Sequence, residues 1–251
     1  KRFIEYAEDV TRLLETHELQ YHLFADDMQA LQHGPPADVP RIVSALDNCF
    51  ADISDWCASK RLQLNATKTE VLWFGSAANL RKIPPGSGSV HAGSSVIEPL
   101  SVVRDLGVMI DAQLSMQEHV SRTARSCFFH LRRLRSVRTQ LGRDVTAKLV
   151  AALVLSRLDY CNAVLAELPA STLAPLQRGL HAAARLVCGL RPRDHVTASL
   201  KELHWLPIRQ RIDYKLCLMV HNVSFRHAPA YLSDILKPVA VIPSRAHLRD
   251  A

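Results

Sequence analysis

The sequence changes its pattern once, near residue 111, and this change restricts the chain to a mixed fold. Before that point, short apolar runs typical of strands alternate with helical stretches, whereas beyond it apolar residues recur at helical spacing. No flexible linker separates the two parts. We therefore expect an α+β protein, with a small antiparallel sheet in residues 1–111, an all-helical region in residues 112–236 and a frayed tail in residues 237–251.

Composition sets outer limits on what the protein can do. The chain has 251 residues, of which 48% are hydrophobic, enough for a substantial core. Its six cysteines include no Cys-x-x-Cys pair, which argues against a zinc ribbon and against a dense disulfide scaffold. We expect reduced thiols, mostly in the core, and a nuclear or cytoplasmic protein. No apolar run reaches the length of a membrane span, so we expect no membrane partner.

The first part contains helices and short strands in a definite order. We predict a helix over 1–18, a hairpin over 19–33, a helix over 38–60 capped by Asp38, a buried strand over 71–74, a surface loop over 76–95 with a weak hairpin at its end, and a strand pair over 102–111. Gly107 inside the last pair suggests a bulge or a close approach of backbone.

The second part is predicted to be helical throughout. Ser115 and Glu118 form a predicted capping box for its first helix, which Gly142 is expected to break. Further helices are predicted over 144–167, 170–189 and 208–223, with a last turn over 231–236.

Two adjacent acids, Asp26 and Asp27, lie between two short apolar runs. This arrangement predicts a β-hairpin with its charge at the tip. Nucleotidyl transfer uses carboxylates held rigidly in this way, because they bind divalent cations that stabilise the attacking and leaving oxygens. An ordinary turn is the alternative, since aspartate tolerates turn geometry and hydrogen-bonds its own backbone.

Basic residues cluster in one segment of the helical part. Between Arg122 and Lys148 there are eight basic residues and one acid, Asp144, so this segment carries a net charge of +7, equal to that of the whole chain. Such clustering predicts a polyanionic partner. The alternative is a solvated helix face. The basic residues are Arg122, Arg125, Arg132, Arg133, Arg135, Arg138, Arg143 and Lys148.

The order of motifs resembles the C-terminal half of a reverse transcriptase from a non-LTR (LINE-type) retrotransposon. The motif Phe24-Ala25-Asp26-Asp27 is similar to the aromatic-x-Asp-Asp hairpin of that family. Later segments are similar to its lysine loop, its primer-grip hairpin and landmarks of its thumb. The matching segments are residues 21–27, 51–56, 62–65, 68–74, 104–111, 158–161 and 203–208, and the resemblance covers residues 19–236.

This resemblance implies a polymerase-type palm remnant followed by a helical thumb and a C-terminal helical region. Asp26 would be the principal ligand of Mg²⁺ or Mn²⁺, and Asp27 the second carboxylate. Lys68 would approach the triphosphate, neutralising charge or protonating the leaving pyrophosphate as a general acid. A solvated lysine at a strand entry is the alternative for Lys68. Asn65 is expected to shape the lysine loop.

The resemblance also implies a partner, the hybrid of an RNA template and a DNA primer. Phe24 would pack under the primer end, and Gly107 would let backbone approach the primer strand. The thumb would hold the hybrid through its phosphates, independently of sequence. The arginines implied in this contact are Arg122, Arg125, Arg132, Arg133, Arg135 and Arg138.

Parts of the family's active site are not found in these 251 residues. They are an aspartate on an earlier palm strand, the fingers subdomain and a Gly-rich segment, so we expect the chain to be inactive without an N-terminal polymerase segment. Two other hypotheses remain: a non-catalytic basic module that binds nucleic acid, and a helical domain that binds proteins. The former predicts no response to Mg²⁺, and the latter predicts weak, salt-insensitive binding of nucleic acid.

Overall fold

The computed structural model describes residues 6, 8–93, 95–234 and 236. Two compact units divide between Met116 and Gln117, and each is described by itself below. The predicted tail over 237–251 lies outside the described residues, as does most of the region before Val10.

The first unit combines helices with three two-stranded antiparallel sheets. Its helices are α1 (Val10–Thr16), α2 (Val39–Ser59) and the short α3 (Ala77–Leu80). Its hairpins are β1–β2 (Gln20–Phe24 and Asp27–Leu31), β3–β4 (Val90–Ala92 and Ser95–Ile97) and β5–β6 (Val102–Asp105 and Val108–Asp111). Single 3₁₀ turns cover Pro36–Asp38 and Ala66–Lys68.

The core of the first unit lies between α1, α2 and one face of the β1–β2 hairpin. Val10 and Leu14 of α1 meet Ile53 of α2 in a buried cluster. Tyr21 and Leu23 alternate along β1 and pack against this cluster. The apolar stripe of α2 and the period of two in β1 thus fix which face of the hairpin is buried, and they leave the other face exposed.

Several predictions for the first unit need correction. Asp38 does not cap α2 with its side chain, and its carboxylate accepts instead from Arg41 at 3.3 Å. The segment 71–74 is not a buried strand, because it forms one bridge, Val71 to Pro99, and Phe74 is exposed.

The predicted surface loop over 76–95 is partly buried. The weak hairpin expected at its end is confirmed as β3–β4, and Val90 in that hairpin is fully buried. Gly88 lies against the Trp73 indole, whose N–H donates to the Gly88 carbonyl at 3.0 Å. A Cβ at Gly88 would lie 2.6 Å from the indole nitrogen, so this close approach requires glycine.

The strand pair predicted over 102–111 is confirmed as β5–β6. Its two-residue turn is formed by Leu106 (φ 43°) and Gly107 (φ 88°). Positive φ at both positions is the requirement of a type I′ hairpin turn, so Gly107 serves a tight turn and not the bulge suggested by the sequence.

Asp111 is the last residue of β6, and its carboxylate organises the chain that leads to the next helix. Its carboxylate accepts from the backbone N–H groups of Gln113, Ser115 and Met116 at 3.2, 2.9 and 2.7 Å, and from the Ser115 hydroxyl at 3.1 Å. The predicted return bond from the Glu118 side chain to the Ser115 N–H is therefore wrong, because that N–H donates to Asp111 and Glu118 pairs with Arg125 at 2.9 Å.

Within the described residues of the second unit, all regular elements are helical, as predicted. Its helices are α4 (Gln117–Val150), continued by a π-helical stretch (Ala151–Leu155) and α5 (Ser156–Asp159), then α6 (Ala170–Cys188), α7 (Thr197–Glu202) and α8 (Ile208–Ser224). Two 3₁₀ turns cover Asn162–Leu165 and Ala230–Asp234.

Glycines mark the helix ends of this unit much as predicted. Gly142 adopts φ 70° and ψ 175° and kinks α4, which confirms the expected break. Gly189 adopts φ 68° after α6. The helix predicted over 144–167 instead stops at Asp159, and α7 was not predicted.

The core of the second unit forms where α4 packs along α6. Leu131 and Leu134 of α4, together with Leu180 and Val187 of α6, are buried. Cys127 lies among them, and burial raises the pKa of its thiol to about 11. All six cysteines of the chain are free thiols; Cys49 and Cys57 are also buried.

Candidate metal-binding hairpin and nucleic-acid interface

The acidic hairpin places one of its two carboxylates in the turn and the other at the start of a strand. Phe24 pairs with Asp27 across β1 and β2, so the two-residue turn consists of Ala25 and Asp26. The predicted hairpin is confirmed, but only Asp26 lies in the turn, and Asp27 begins β2. Both carboxylates are exposed, and the Phe24 ring is 59% exposed beside Asp27.

The residue between Phe24 and Asp26, Ala25, has an unusual backbone conformation. Ala25 adopts φ 56°, in the left-handed region that disfavours residues with a Cβ. Residues in such conformations are held there by the surrounding structure, and they are concentrated at functional sites. Here the turn itself calls for the conformation, because the favoured two-residue hairpin turns have positive φ at their first central position, which Ala25 occupies.

One hydrogen bond joins the two hairpins that the sequence motifs single out. The Gln29 amide donates to the Asp105 carboxylate at 2.6 Å, so the acidic hairpin is tied to the end of β5. Gln29 lies two residues along β2 from Asp27 and therefore on the same exposed face. This pair could not be predicted, because nothing in the sequence indicates which polar residues meet across 76 positions.

The acidic pair can supply part of a metal site. Among the residues that the structure describes, no group of three or more His, Cys, Asp or Glu side chains is close enough to hold a metal ion. Magnesium is commonly held by one or two carboxylates, with substrate phosphates and water completing its shell. Asp26 and Asp27 offer two exposed carboxylates, so phosphate and water would have to complete the shell of any magnesium ion held there.

The lysine loop is ordered by Asn65, as expected from the sequence. The Asn65 side-chain oxygen accepts from the Thr67 N–H at 3.2 Å and from the Thr67 hydroxyl at 2.6 Å. The Asn65 carbonyl accepts from the Lys68 N–H at 3.0 Å. Lys68 is exposed, and its ammonium forms no hydrogen bond or ion pair within the described part of the chain. A free ammonium on an ordered turn is suited to contact a phosphate.

In the second unit, four arginines lie on one side of α4. Residues 122, 125, 132 and 133 fall within an arc of about 100° when successive residues are turned by about 100°. Their side chains are exposed, while the opposite side of the helix is buried. The helical spacing that creates the apolar stripe thus also collects these positive charges on one face.

A cleft of about 940 Å³ lies between α4 and α6. Arg125 and Arg132 line it from α4, and Arg178 lines it from α6. The hydroxyls of Ser171 and Thr172 lie at the entry of α6, whose first turn carries no acidic residue. The guanidinium groups of Arg132 and Arg178, which join no ion pair among the residues that the structure describes, and a helix N-terminus make this cleft favourable for phosphate.

The floor of this arginine cleft is apolar. Val120, Ala124 and Phe128 form it from α4, and Pro175 from α6. A cleft with a positive rim and an apolar floor can hold a backbone phosphate at its edge while a sugar or base contacts its floor.

Several of the arginines implied as nucleic-acid contacts already have partners within the protein. Arg138 is partly buried and donates to the carbonyls of Leu186 and Val187 at 3.0 and 3.1 Å, so it caps the end of α6. Arg125 is paired with Glu118 at the surface, where such pairs are weak and exchange readily. Arg133 lies over the Phe129 ring, 5.6 Å from its centre.

Three further cleft residues carry no signal in the sequence: Arg178, Ser171 and Thr172. They lie outside the arginine-rich segment, and α6 reads as an ordinary amphipathic helix. Arg178 is an exposed position between buried Leu176 and Gly179. Only the packing of α6 against α4 brings these residues to the same cleft as Arg132.

Comparison of the chain with protein-family models, with curated proteins and with solved structures gave no match. Within the described residues, no helix combines the length and the hydrophobicity that a membrane span needs.

Proposed function

We propose that this protein is the palm-and-thumb portion of a non-LTR reverse transcriptase, and that by itself it binds nucleic acid without sequence preference. The observation that carries the binding proposal is the arginine cleft between α4 and α6. Its preferred partner in this proposal is the hybrid of an RNA template and a DNA primer, and its site of action is the nucleus or cytoplasm.

Charge and geometry support the binding part of the proposal. Arg132 and Arg178 approach the cleft from two helices and form no ion pair within the described residues. Arginines without carboxylate partners contribute most to affinity for phosphate. When they neutralise backbone phosphates, counterions are released from the nucleic acid, and this release favours binding. Cleft side chains fixed on rigid helices position a backbone without reading its bases.

The acidic hairpin supports the polymerase part of the proposal. Asp26 lies in the exposed turn of a hairpin that packs its other face against the core, Asp27 begins β2 beside it, and Gln29 ties that hairpin to β5. With Mg²⁺ or Mn²⁺ bound, such a site supplies charge stabilisation for nucleotidyl transfer. In the chain itself, these carboxylates would hold the ion, and Lys68 would neutralise phosphate charge.

The binding proposal is tested by the salt dependence of affinity. Anisotropy of a labelled RNA/DNA hybrid is measured between 50 and 300 mM salt for the wild type and for Arg132→Gln/Arg178→Gln. Each lost phosphate contact should lower the slope of log K against log salt by about 0.7–0.9, so the double variant should lose about 1.4–1.8.

A matched control removes the same charge outside the cleft. Arg191 and Arg193 are exposed in the loop after α6, and Arg191→Gln/Arg193→Gln should leave the slope nearly unchanged. Equal loss in both double variants would show diffuse attraction and would overturn the cleft assignment. Binding that is weak and indifferent to salt would support a protein-binding domain instead.

The polymerase and non-catalytic proposals differ at the acidic hairpin. Chemical shifts near Asp26 and Asp27 should move on Mg²⁺ or Mn²⁺ titration if the hairpin retains its metal-binding role. A basic module without catalytic ancestry predicts no such response, and Asp26→Asn provides the control.

A further inference from the structure

The exposed side of α4 carries an aromatic ring among its arginines. Phe129 is 46% exposed, although phenylalanine is among the residues most often buried. When successive residues are turned by about 100°, Phe129 falls near the middle of the arc that Arg122, Arg125, Arg132 and Arg133 share, here called the arginine face. The ring therefore stands at the centre of the positively charged surface and not on the buried side of the helix.

The helical neighbours of Phe129 are all polar. The positions three and four residues away in either direction hold Arg125, Ser126, Arg132 and Arg133. A surface that docks another protein is typically a contiguous apolar patch, and these four positions contribute no apolar side chain to one. A single ring surrounded by guanidinium groups instead suits a polyanion that also presents flat apolar surfaces, as nucleic acid does.

The contact between Phe129 and Arg133 leaves the ring available. The guanidinium carbon of Arg133 lies 5.6 Å from the ring centre, so a cation–π attraction positions the ring. At an exposed site this attraction is weaker than the stacking of a base on an aromatic side chain. An arriving base can therefore displace the guanidinium, which then becomes free to contact a phosphate.

The preceding residue, Phe128, supplies a second ring beside the same arginines. Phe128 lies in the floor of the arginine cleft. Counted around the helix axis, Arg125 and Arg132 fall between Phe128 and Phe129. A strand whose phosphates follow these two arginines thus has an aromatic ring on either side. The bases inside a duplex are paired and stacked on each other, so only an unpaired base can lie flat on such a ring.

We propose that the arginine face of α4 binds an unpaired nucleic-acid strand, with one base stacked on Phe129 and the adjacent phosphates held by Arg125, Arg132 and Arg133. This inference rests on the proposed function and specifies its substrate as nucleic acid with a single-stranded segment. Stacking accepts every base, because each base has an aromatic face, so binding stays independent of sequence. A hybrid with an unpaired extension should therefore bind more tightly than a blunt hybrid.

Two other partners fit the arginine face less well. A fully paired hybrid can contact the arginines, but it leaves the Phe129 ring in water. An anionic membrane would also attract the arginines, yet a helix that lies on a membrane carries its apolar residues on the side opposite its charges. In α4 that opposite side is buried within the protein, as Cys127, Leu131 and Leu134 show. The paired hybrid and the membrane become outcomes of the test.

The test compares two extensions of equal charge. An RNA/DNA hybrid is prepared with a single-stranded extension of about ten nucleotides, either of thymidine or of abasic sites with the same number of phosphates. Binding of each hybrid to the full chain is measured by anisotropy at one salt concentration. The thymidine extension should bind at least about fivefold more tightly, because only this extension offers bases that can stack.

Variants of Phe129 assign the preference to this ring. Phe129→Leu should bring the ratio of the two affinities to about one, since leucine is apolar but has no aromatic face, whereas Phe129→Trp should retain the preference. Phe225→Leu is the matched control and should keep the ratio of the wild type. Phe225 is 62% exposed in the same unit, and no arginine lies three or four residues from it.

Equal affinity of the wild type for the two extensions would overturn the inference in favour of a paired hybrid, and it requires no variant to fold. A preference that persists in Phe129→Leu would overturn the assignment to this ring. If the two extensions bind equally and Phe129→Leu instead weakens the binding of phosphatidylserine vesicles, the arginine face is a membrane surface.

Failure of this inference can be told apart from failure of the proposed function. The two extensions carry the same charge, so the ratio of their affinities does not depend on the salt slope that tests the arginine cleft. A slope that Arg132→Gln/Arg178→Gln lowers, together with equal binding of both extensions, would refute this inference alone. A preference for thymidine without that loss of slope would refute the cleft assignment alone.

Discussion

At the scale of single residues, the conformation of Ala25 can be tested directly. Ala25→Gly should raise the free energy of unfolding by about 1 kcal/mol, because glycine adopts φ 56° without a Cβ clash. Denaturant unfolding followed by tryptophan fluorescence measures the change. Ala30→Gly is the control in the same hairpin and should destabilise by about 0.5–1 kcal/mol. Equal destabilisation by both substitutions would contradict the strain argument.

Asp111 provides a pH-dependent contribution to stability. Burial raises the pKa of its carboxyl, but hydrogen bonds from Ser115, Met116 and Gln113 lower it more, so the net shift is downward. A lowered pKa stabilises the fold above the unfolded value of about 3.9. This contribution is lost as pH falls through the lowered folded pKa.

Asp111→Ala should therefore destabilise by about 1–2 kcal/mol at pH 7. The difference from the wild type should shrink at acid pH, because the carboxyl is protonated first in the unfolded chain and, as pH falls further, in the native protein. Denaturant unfolding at pH 7 and pH 3 measures both effects, with exposed Asp55→Ala as the control. A difference that is constant with pH would show that the Asp111 charge is not the cause.

At the scale of elements, neighbouring arginines on α4 have separable roles. Arg138 caps the carbonyls that end α6, whereas Arg135 is exposed. Arg138→Ala should destabilise by about 1.5–3 kcal/mol, since its bonds involve a charged donor. Arg135→Ala should change stability by less than about 0.5 kcal/mol.

Thermal unfolding and hybrid binding, measured on the same two variants, check this division. Arg138→Ala should reduce stability with little direct effect on affinity for the hybrid at a temperature where it is folded. A similar loss of stability in Arg135→Ala would contradict the capping role that the structure gives to Arg138.

At the scale of the whole molecule, binding and catalysis should be separable. The 251-residue protein should bind an RNA/DNA hybrid yet extend no primer with Mg²⁺ or Mn²⁺, because the described residues group no third ligand with Asp26 and Asp27. Primer extension on an RNA template measures this. Incorporation that Asp26→Ala abolishes would show that the chain holds a sufficient metal site.

Much of the fold follows from local sequence patterns. The period of apolar residues in α2 and the alternation in β1 are local properties, so the helix and the acidic hairpin could be predicted closely. Predictions failed where local signals competed. The Ser115 N–H donates to Asp111, four residues upstream, and not to the predicted acceptor Glu118. Segment 71–74 forms a single bridge, from Val71 to the distant Pro99, which its own apolar pattern could not indicate.

The sequence by itself determined that acids and arginines are concentrated in separate parts, since charge and periodicity are written along the chain. Tertiary structure alone decided that Gln29 meets Asp105, that Arg178 joins Arg132 at one cleft, and that Arg138 is used for packing. The physical reason is that these contacts depend on which surfaces of distant elements pack together. Small differences in burial and hydrogen bonding across the whole unit settle that packing, and no single residue pattern encodes it.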